Sequence, residues 1–344
     1  MGSGSGSSGS GCHPITGRSG QIYYMKIGKV SENIIKRSVL KVLDKKSAAP
    51  TSDCALFTGY VANELSGKSG THALIRAVNR AVESGYKPIE ASVNVTMPEY
   101  LREKRLKEIM SSVAGTAGHY DISVTSGHSE TVEGLKYPIV TVTLMAQRTG
   151  YHTGITCAEA GMGIVMTKWA ALSGTAWIAS QHGKAPAERF PSFLMEDALY
   201  LDNFISVTDE ALVAAGCGNV SMYACSDGGV FAGLWKLADR AGLGLAVDLR
   251  SIPIRQETVE LCEFYDINPY MLKSDGALLI ATFDTEALIK ALTDKEIPSA
   301  LIGHLTEGKD RVILSGEDRR FLEEPSQDEQ VKVLCYNVAD KKQA

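Results

Sequence analysis

Closely spaced cysteine pairs of the CxxC type are missing from this sequence of 344 residues, so a zinc knuckle is not expected. Its seven cysteines are odd in number and scattered. Most of them lie in apolar surroundings, where a free thiol behaves as a small hydrophobe. This cysteine usage favours a reducing compartment, and we expect a cytoplasmic protein.

Long apolar runs and an excess of positive charge are also missing. No stretch approaches the ~18 apolar residues of a transmembrane helix, so no membrane contact is expected. The net charge of −5 provides no basic surface, so no nucleic-acid partner is expected. What is present, 44% hydrophobic and 22% charged residues, is typical of a soluble globular protein with a core of normal size.

The length and the local composition predict two domains between two tails. Residues 1–24 begin with MGSGSGSSGSG, which has the composition of a flexible linker, and we interpret them as an added tag or a disordered tail. The composition changes again near residues 148–163. We therefore predict an N-terminal domain over 25–150, a C-terminal domain over 151–330 and a tail over 331–344.

The predicted elements alternate irregularly between strands and helices. In the first half, residue patterns predict helices at 69–85 and 99–118 and strands at 86–97, 120–126 and 137–147. In the second half they predict strands at 163–172, 219–225 and 242–249. Because no strict βαβ rhythm emerges, the sequence favours an α+β fold over a doubly wound sheet.

One glycine turn is a candidate ligand site. The stretch SDGGVFAGLWKLADRAG, residues 226–242, predicts a helix that begins beside Asp227, Gly228 and Gly229. A helix N-terminus exposes unpaired N–H groups that suit a phosphate, and a carboxylate such as Asp227 suits Mg²⁺. The alternative is that Ser226 or Asp227 only caps the helix, and the pattern leaves both interpretations open.

Three further stretches each allow two interpretations. In VTSGHSETVEG, residues 124–134, a strand is expected to end at a Ser-Gly turn. His128 and Glu130 follow this turn, and they are either ligands or solvated turn residues. Asp53 precedes an apolar strand, as a ligand or as a turn former. Lys168 lies in an apolar strand and is either at a sheet edge or directed at an anion.

These stretches occur in the order, and roughly with the spacing, of one superfamily. The chain resembles the PurM-like AIR synthase superfamily, and within it the HypE-like AIR synthase-related proteins. The resemblance extends from Met25 to about Pro325 and is closer in the second half. Its blocks are MKIGKVSENIIKRSVLKVL, MTKWAALSGTAWIA, SDGGVFAGLWKLADRAGLGLAVDL, IPIRQETVELCEFYDINPY and GHLTEGKDRVILSGEDRRFLEEP.

The resemblance implies a fold, a reaction and partners. The implied fold has two domains: an N-terminal sheet that forms a barrel-like interface in a homodimer, and a C-terminal α/β sandwich. The implied activity is ATP- and Mg²⁺-dependent activation of an amide or carbamoyl oxygen by phosphoryl transfer, as in hydrogenase maturation with a protein partner. The implied nucleotide-site residues are Asp53, Asn79, His128, Glu130, Lys168, Asp227, Gly228 and Gly229, of which Asp53, Glu130 and Asp227 would hold the metal.

The chain departs from the family where acids are expected: Arg80, Met162 and Ala224 stand in their places. Two unit charges ~4 Å apart near a surface interact by about 4 kcal/mol, so Arg80 would repel the metal. Arg80 could instead hold a phosphate directly, or pair with Glu64 or Glu83. The alternatives to an ATP enzyme are therefore a catalytically degenerate homodimeric scaffold, or a protein that binds another phosphate or carboxylate without Mg²⁺.

Overall fold

The computed structural model describes residues 30, 32–43, 52–150, 158–324 and 327–336. Two sheets, each with its own helices and apolar core, organise these ranges into an N-terminal and a C-terminal domain. The predicted tag or tail at 1–24 lies outside the described residues. Among the described helices, none has the length and apolar character needed to cross a bilayer.

The N-terminal domain is a four-stranded sheet covered by helices on one face. The strands are β1 (Cys54–Val61), β2 (Tyr86–Pro98), β3 (Ser123–Val132) and β4 (Ile139–Arg148), in the order β1-β4-β2-β3. The covering helices are α2 (Ser69–Glu83) and α3 (Glu103–His119). A short helix α1 (Glu32–Ile35), which continues as a π-helical turn over Lys36–Leu40, precedes the sheet in sequence. Only the β2–β3 pair is parallel in this sheet.

The two faces of this sheet differ because β1 alternates between buried and exposed side chains. Phe57 and Val61 point into the core beneath α2, whereas Leu56 and Tyr60 lie on the opposite, exposed face. Gly59 allows the close approach of α2, since a Cβ there would lie 2.1 Å from the carbonyl oxygen of Ala73. The helix therefore packs directly against the strand backbone.

The expected turn at Ser126-Gly127 is wrong. Strand β3 continues through it to Val132, with Gly127 paired to Val93 of β2. A Cβ at Gly127 would lie 2.2 Å from the carbonyl oxygen of Val93, so this glycine serves the close approach of two strands. His128 and Glu130 consequently lie within an edge strand that is exposed along its whole length.

The C-terminal domain is a seven-stranded sheet in the order β11-β10-β7-β9-β5-β8-β6. Its strands are β5 (Gly163–Thr167), β6 (Ser221–Ala224), β7 (Gly244–Asp248), β8 (Leu278–Thr282), β9 (Ser299–Thr306), β10 (Arg311–Ser315) and β11 (Asp318–Phe321). Its helices are α4 (Leu172–His182), α5 (Lys184–Ala187), α6 (Ser192–Tyr200), α7 (Thr208–Gly216), α8 (Gly229–Ala241), α9 (Gln256–Tyr265), α10 (Thr285–Thr293) and α11 (Gln330–Leu334). Three 3₁₀ turns complete the domain, at Leu201–Phe204, Leu249–Ser251 and Pro269–Met271.

Helices cover both faces of this second sheet. Met166 of β5 points into the core beneath α8, while its neighbour Val165 points into a separate core beneath α7 and α10. A strand buried on both faces reads as an apolar run without alternation, as GIVMT does. Together with the one-sided first sheet, this arrangement confirms the predicted α+β class, and neither sheet closes into a barrel by itself.

Two predicted boundaries differ from the structure. Strand β5 ends at Thr167, and Lys168 follows it with a left-handed φ of 54°. The segment predicted to be a tail after residue 330 contains most of α11, whose Val333 is buried among residues of α4, α6 and α9. Burial of apolar surface at Val333 therefore holds α11 against the C-terminal domain.

Candidate functional site in the interdomain cleft

A cleft runs between the two domains and encloses a cavity of about 400 Å³. Helix α2 and the segment 61–68 form its N-terminal wall, and helix α4 with the segments 199–205 and 273–275 forms the other. The indole N–H of Trp177 donates to the carbonyl of Asn63 over 3.1 Å, and the amide of Leu65 donates to Gln181 over 3.0 Å. These bonds fix the loop after β1 against α4.

Arg76 of α2 is the central cation of the cleft. Its Nη2 lies 3.0 Å from Asp227 Oδ1 and 2.8 Å from Asp275 Oδ2, and its Nη1 donates to the carbonyl of Tyr60 over 3.0 Å. The Tyr60 hydroxyl also donates to Asp227, over 3.3 Å. One buried guanidinium therefore ties both domains together and compensates two carboxylates of the C-terminal domain.

Asp275 is anchored further by helix α4. The Ser173 hydroxyl donates to Asp275 Oδ2 over 2.9 Å and accepts the Asp275 amide over 2.8 Å. Burial opposes the charge of Asp275, but the neighbouring Arg76 guanidinium outweighs it and lowers the pKa of this carboxyl. Asp275 is therefore ionised and positioned at neutral pH.

A second ion-pair network lies one helical turn earlier on α2. His72 Nδ1 lies 2.8 Å from Glu64 Oε2, and His72 Nε2 lies 2.8 Å from Asp202 Oδ1. Burial opposes protonation of His72, but the two carboxylates outweigh it and raise the pKa of the imidazole to about 9. Lys68 pairs with the other oxygen of Asp202 over 2.6 Å. His72 is thus a cation at neutral pH, with a carboxylate beside each ring nitrogen.

Lys273 is the remaining cation of the cavity wall. The residue is 8% exposed, and its ammonium lies 5.6 Å from the centre of the Trp177 ring. Among the described residues, no hydrogen bond or ion pair ends on this ammonium. Burial, and then the positive charge of Arg76, lower the pKa of Lys273.

The predicted glycine turn does begin helix α8, but its N–H groups are occupied. The Gly228 amide donates to Asp328 Oδ2 over 2.7 Å, and the Gly229 amide donates to the Ser226 carbonyl over 3.0 Å. A Cβ at Gly229 would lie 2.5 Å from the Tyr270 carbonyl oxygen, so this glycine serves packing. Burial and the charge of Asp227 raise the pKa of Asp328 to about 7.

The three carboxylates predicted to share a metal do not come together in one chain. Asp227 lies beside Tyr60 at the end of β1, while Asp53 precedes its first residue, roughly 23 Å away at about 3.3 Å per residue. Glu130 lies on the exposed edge strand, near His128 at 3.8 Å and Thr96 at 3.5 Å. The described residues contain no group of three His, Cys, Asp or Glu side chains arranged to hold a metal ion.

Two other predicted site residues hold the segment that precedes α7, Asn79 from the N-terminal domain and Lys168 from the C-terminal domain. The Asn79 amide donates to the Ile205 carbonyl over 2.8 Å and accepts the Val207 amide over 3.0 Å. The Lys168 ammonium donates to the Phe204 carbonyl over 2.9 Å and pairs with Glu210. Both side chains are buried, and their hydrogen bonds satisfy groups on the segment that precedes α7.

The three residues that replace family acids, Arg80, Met162 and Ala224, lie in three different places in the fold. Met162 and Ala224 are buried in two apolar cores and supply no ligand oxygen. Arg80 is exposed on α2. Its two suggested partners are engaged elsewhere, because Glu64 pairs with His72 and Glu83 lies 3.8 Å from Arg240.

Sequence reasoning missed most of the cleft: Glu64, His72, Arg76, Asp202, Lys273, Asp275 and Asp328. One signal was available for Arg76, which interrupts the run ALIRAVNRAV on a face that must otherwise be buried. A cation on such a face requires a partner. The sequence around Asp275 does not identify it as the partner of Arg76. The sequence around Asp328 likewise does not show that it lies at the Gly228 turn.

Comparison with known proteins covers both domains. The N-terminal domain model of AIR synthase related proteins matches residues 36–147, and the C-terminal domain model matches residues 159–315. The carbamoyl dehydratase HypE of Rhizobium leguminosarum bv. viciae is 24% identical over 269 residues, which are 72% of this chain and 71% of that protein. A putative hydrogenase expression/formation protein of Methanocaldococcus jannaschii is 22% identical over 324 residues, 87% and 94% of the two chains.

Solved structures show the same fold. E. coli HypE superposes with a TM-score of 0.67 at 20% identity, over 81% of this chain and 88% of that one. HypE in complex with ATP superposes with a TM-score of 0.66 at 16% identity, over 87% and 96%. A chain of the HypE–HypF complex superposes with a TM-score of 0.68 at 17% identity, over 85% of this chain and 99% of that one. These likenesses confirm the predicted PurM-like two-domain fold.

Proposed function

Because this chain belongs to the AIR synthase related protein family, we propose that it is a HypE-like maturation protein that binds ATP in the interdomain cleft. Its relatives along most of the chain are HypE and hydrogenase expression/formation proteins. The observation that carries the proposal is the place of the turn at Asp227–Gly229. It begins helix α8 directly opposite Arg76 of the other domain.

The turn can accept phosphate oxygens if Asp328 moves. Asp328 already places a carboxylate oxygen on the Gly228 amide, which shows that an anionic oxygen fits there. The start of an α-helix of 13 residues adds a partial positive charge. Arg76 lies opposite the turn, beside Asp227, and supplies positive charge. A triphosphate would therefore replace Asp328 at the turn.

The described residues do not fit Mg²⁺ in the manner expected from the sequence. They contain no three-member cluster of metal-ligating side chains, and both Asp227 and Asp275 are paired with Arg76. We therefore derive no metal-dependent step. Phosphoryl transfer to an amide or carbamoyl oxygen stays a prediction from the family.

Calorimetric titration of ATP into the full chain, with and without Mg²⁺, tests the proposal. We expect binding that persists in EDTA, because side-chain cations and backbone amides supply the contacts. The matched variant is Gly228→Ala, which forces a Cβ onto a backbone with φ 82° and distorts the turn. An absence of heat at millimolar ATP in the intact protein would refute ATP binding.

A second candidate function is a catalytically degenerate paralogue that acts as a binding or scaffold subunit. The commitment of Asp227 to Arg76 favours it, since a carboxylate in a buried ion pair is a poor metal ligand. The double variant Arg80→Asp/Ala224→Asp restores two family acids. A gain of Mg²⁺-dependent ATP affinity would show that the chain lost only its metal-ligating acids and kept the nucleotide site. Unchanged affinity would favour a scaffold.

We further propose that the exposed face of the first sheet forms a homodimer. Leu56, 71% exposed, pairs in register with the exposed Met145 of β4, and Tyr60 lies farther along the same face. Leu56→Glu should convert a dimer to a monomer in light scattering, while Leu65→Glu, outside this face, should not. A monomeric parent protein would refute the proposal.

A HypF-like maturation protein is the proposed protein partner, because the chain is similar in structure to a chain of the HypE–HypF complex.

A further inference from the structure

The cavity between α2 and α4 has several charged side chains on its wall, and all but one of its cations are held in ion pairs. Its wall contains four cationic side chains, Lys68, His72, Arg76 and Lys273, and three carboxylates, Glu64, Asp202 and Asp275. Lys68 and His72 are bound by Glu64 and Asp202, and Arg76 by Asp275 and Asp227. The ammonium of Lys273 is left without a hydrogen bond or ion pair among the described residues.

A buried ammonium without a partner is costly, because transfer from water removes its hydrogen bonds. Here Lys273 is 8% exposed and lines the cavity of about 400 Å³. This volume lies within the usual range of ligand pockets. A bound anion would restore the lost interactions of the ammonium in a low-dielectric setting, where the pairing is strong.

The remaining wall selects for the rest of the ligand. Trp177 lies beside the Lys273 ammonium, and Ile75, Ala176, Leu199 and Ile205 add apolar surface. Ser180 and Gln181 lie farther along α4 at the same cavity. The wall near Lys273 therefore offers apolar surface and a few neutral polar groups, while the other charged side chains of the wall are held in ion pairs.

We infer that this cavity binds a small molecule with one carboxylate or phosphate monoester group, which pairs with the ammonium of Lys273, and with an apolar body, which lies against Trp177. This site is distinct from the Gly228 turn, and its occupant needs neither a nucleotide nor a metal. The inference goes beyond the proposed function, because the two sites are tested separately. The cavity can bind its anion even if ATP does not bind at the turn, and ATP can bind at the turn even if the cavity binds no anion.

Calorimetric titrations with three probes in EDTA and without nucleotide test the inference. Benzoate and phenyl phosphate carry the two anionic groups on an apolar ring, and benzamide is the neutral control. We expect at least one anion to bind with a Kd of about 1 mM, and benzamide to show no binding. The tighter of the two anions identifies the preferred group. A failure of both, or equal binding of benzamide, would overturn the inference.

Lys273→Met should weaken the anion by at least about tenfold, the usual effect of one charge-assisted hydrogen bond. Lys295→Met, the same change on an exposed surface, should leave the Kd unchanged within about twofold. Ala176→Leu fills the cavity without touching a charge and should abolish binding; circular dichroism confirms that each variant is folded. Parent-like affinity in folded Lys273→Met, or in Ala176→Leu, would place the anion elsewhere and refute the site.

Discussion

Asp227 and Glu130, two of the three acidic residues that the sequence suggested as metal ligands, lie in regions with different surroundings. Asp227 lies in the interdomain cleft, in a buried network with Arg76 and Asp275. Glu130 lies on the edge strand β3, where its carboxylate is half exposed. The comparison teaches that a carboxylate is held in a buried ion pair in one place and makes only long, exposed contacts in the other. Burial, which the motif does not encode, makes the difference.

The largest effect should come from removing the cation of the cleft. Arg76→Met removes the guanidinium that pairs with both Asp227 and Asp275, and losing one partner of a buried ion pair should cost about 3–5 kcal/mol of unfolding free energy. Urea denaturation measures it. Arg80→Met, the same change one turn later on the exposed face, should change stability by less than about 0.5 kcal/mol. Equal effects of the two variants would contradict the described network.

The second effect is a pH dependence that arises at His72. Its folded pKa of about 9 exceeds the ordinary 6.5, so its contribution to stability is complete below about pH 6.5 and is lost as the pH rises through 9. The shift corresponds to about 3 kcal/mol. His72→Gln should remove this slope in urea denaturation at several pH values, whereas the exposed His128→Gln should retain it. A parent-like slope in His72→Gln would be the contrary result.

The third effect concerns the turn that begins α8. Asp328→Asn removes a negative charge that competes with phosphate for the Gly228 amide, so ATP should bind about tenfold more tightly, an effect of about 1.4 kcal/mol. Calorimetry at constant salt measures it. Asp318→Asn on the exposed strand β11 controls for net charge. Unchanged affinity in Asp328→Asn would mean that the proposed phosphate position is wrong.

The smallest effect belongs to the edge strand. Glu130→Gln should change the unfolding free energy by less than about 0.5 kcal/mol, because its contacts to His128 and Thr96 are long and exposed to solvent. Differential scanning calorimetry measures it. A loss above 1 kcal/mol would show that Glu130 is engaged, and would remove the contrast between the two regions.

The fold was predictable from the sequence to a large extent, because local patterns and the family blocks agree. The strand at 86–97 and the helix at 69–85 have clear periodicities and occur as β2 and α2. Strand β3 was mistaken at Ser126-Gly127, since glycine for a turn and glycine for a close strand approach look alike in a sequence.

The site was less predictable because its contacts join residues far apart in the chain. Arg76 contacts Asp227 and Asp275 across 151 and 199 positions. Asp328 reaches the Gly228 amide across 100 positions. A motif can propose that a glycine turn binds phosphate, but it cannot reveal that a distant carboxylate already lies on the same amide.

Helix α2 supplies His72, Arg76 and Asn79 to the cleft on successive turns, and its other face forms the core of the N-terminal domain. The side-chain amide of Asn79 bonds the segment before α7 through both its nitrogen and its oxygen. Helix α2 therefore cannot shift without breaking hydrogen bonds to the C-terminal domain. The width of the cleft is therefore coupled to the orientation of the two domains. A ligand that widens the cleft would also rotate one domain relative to the other.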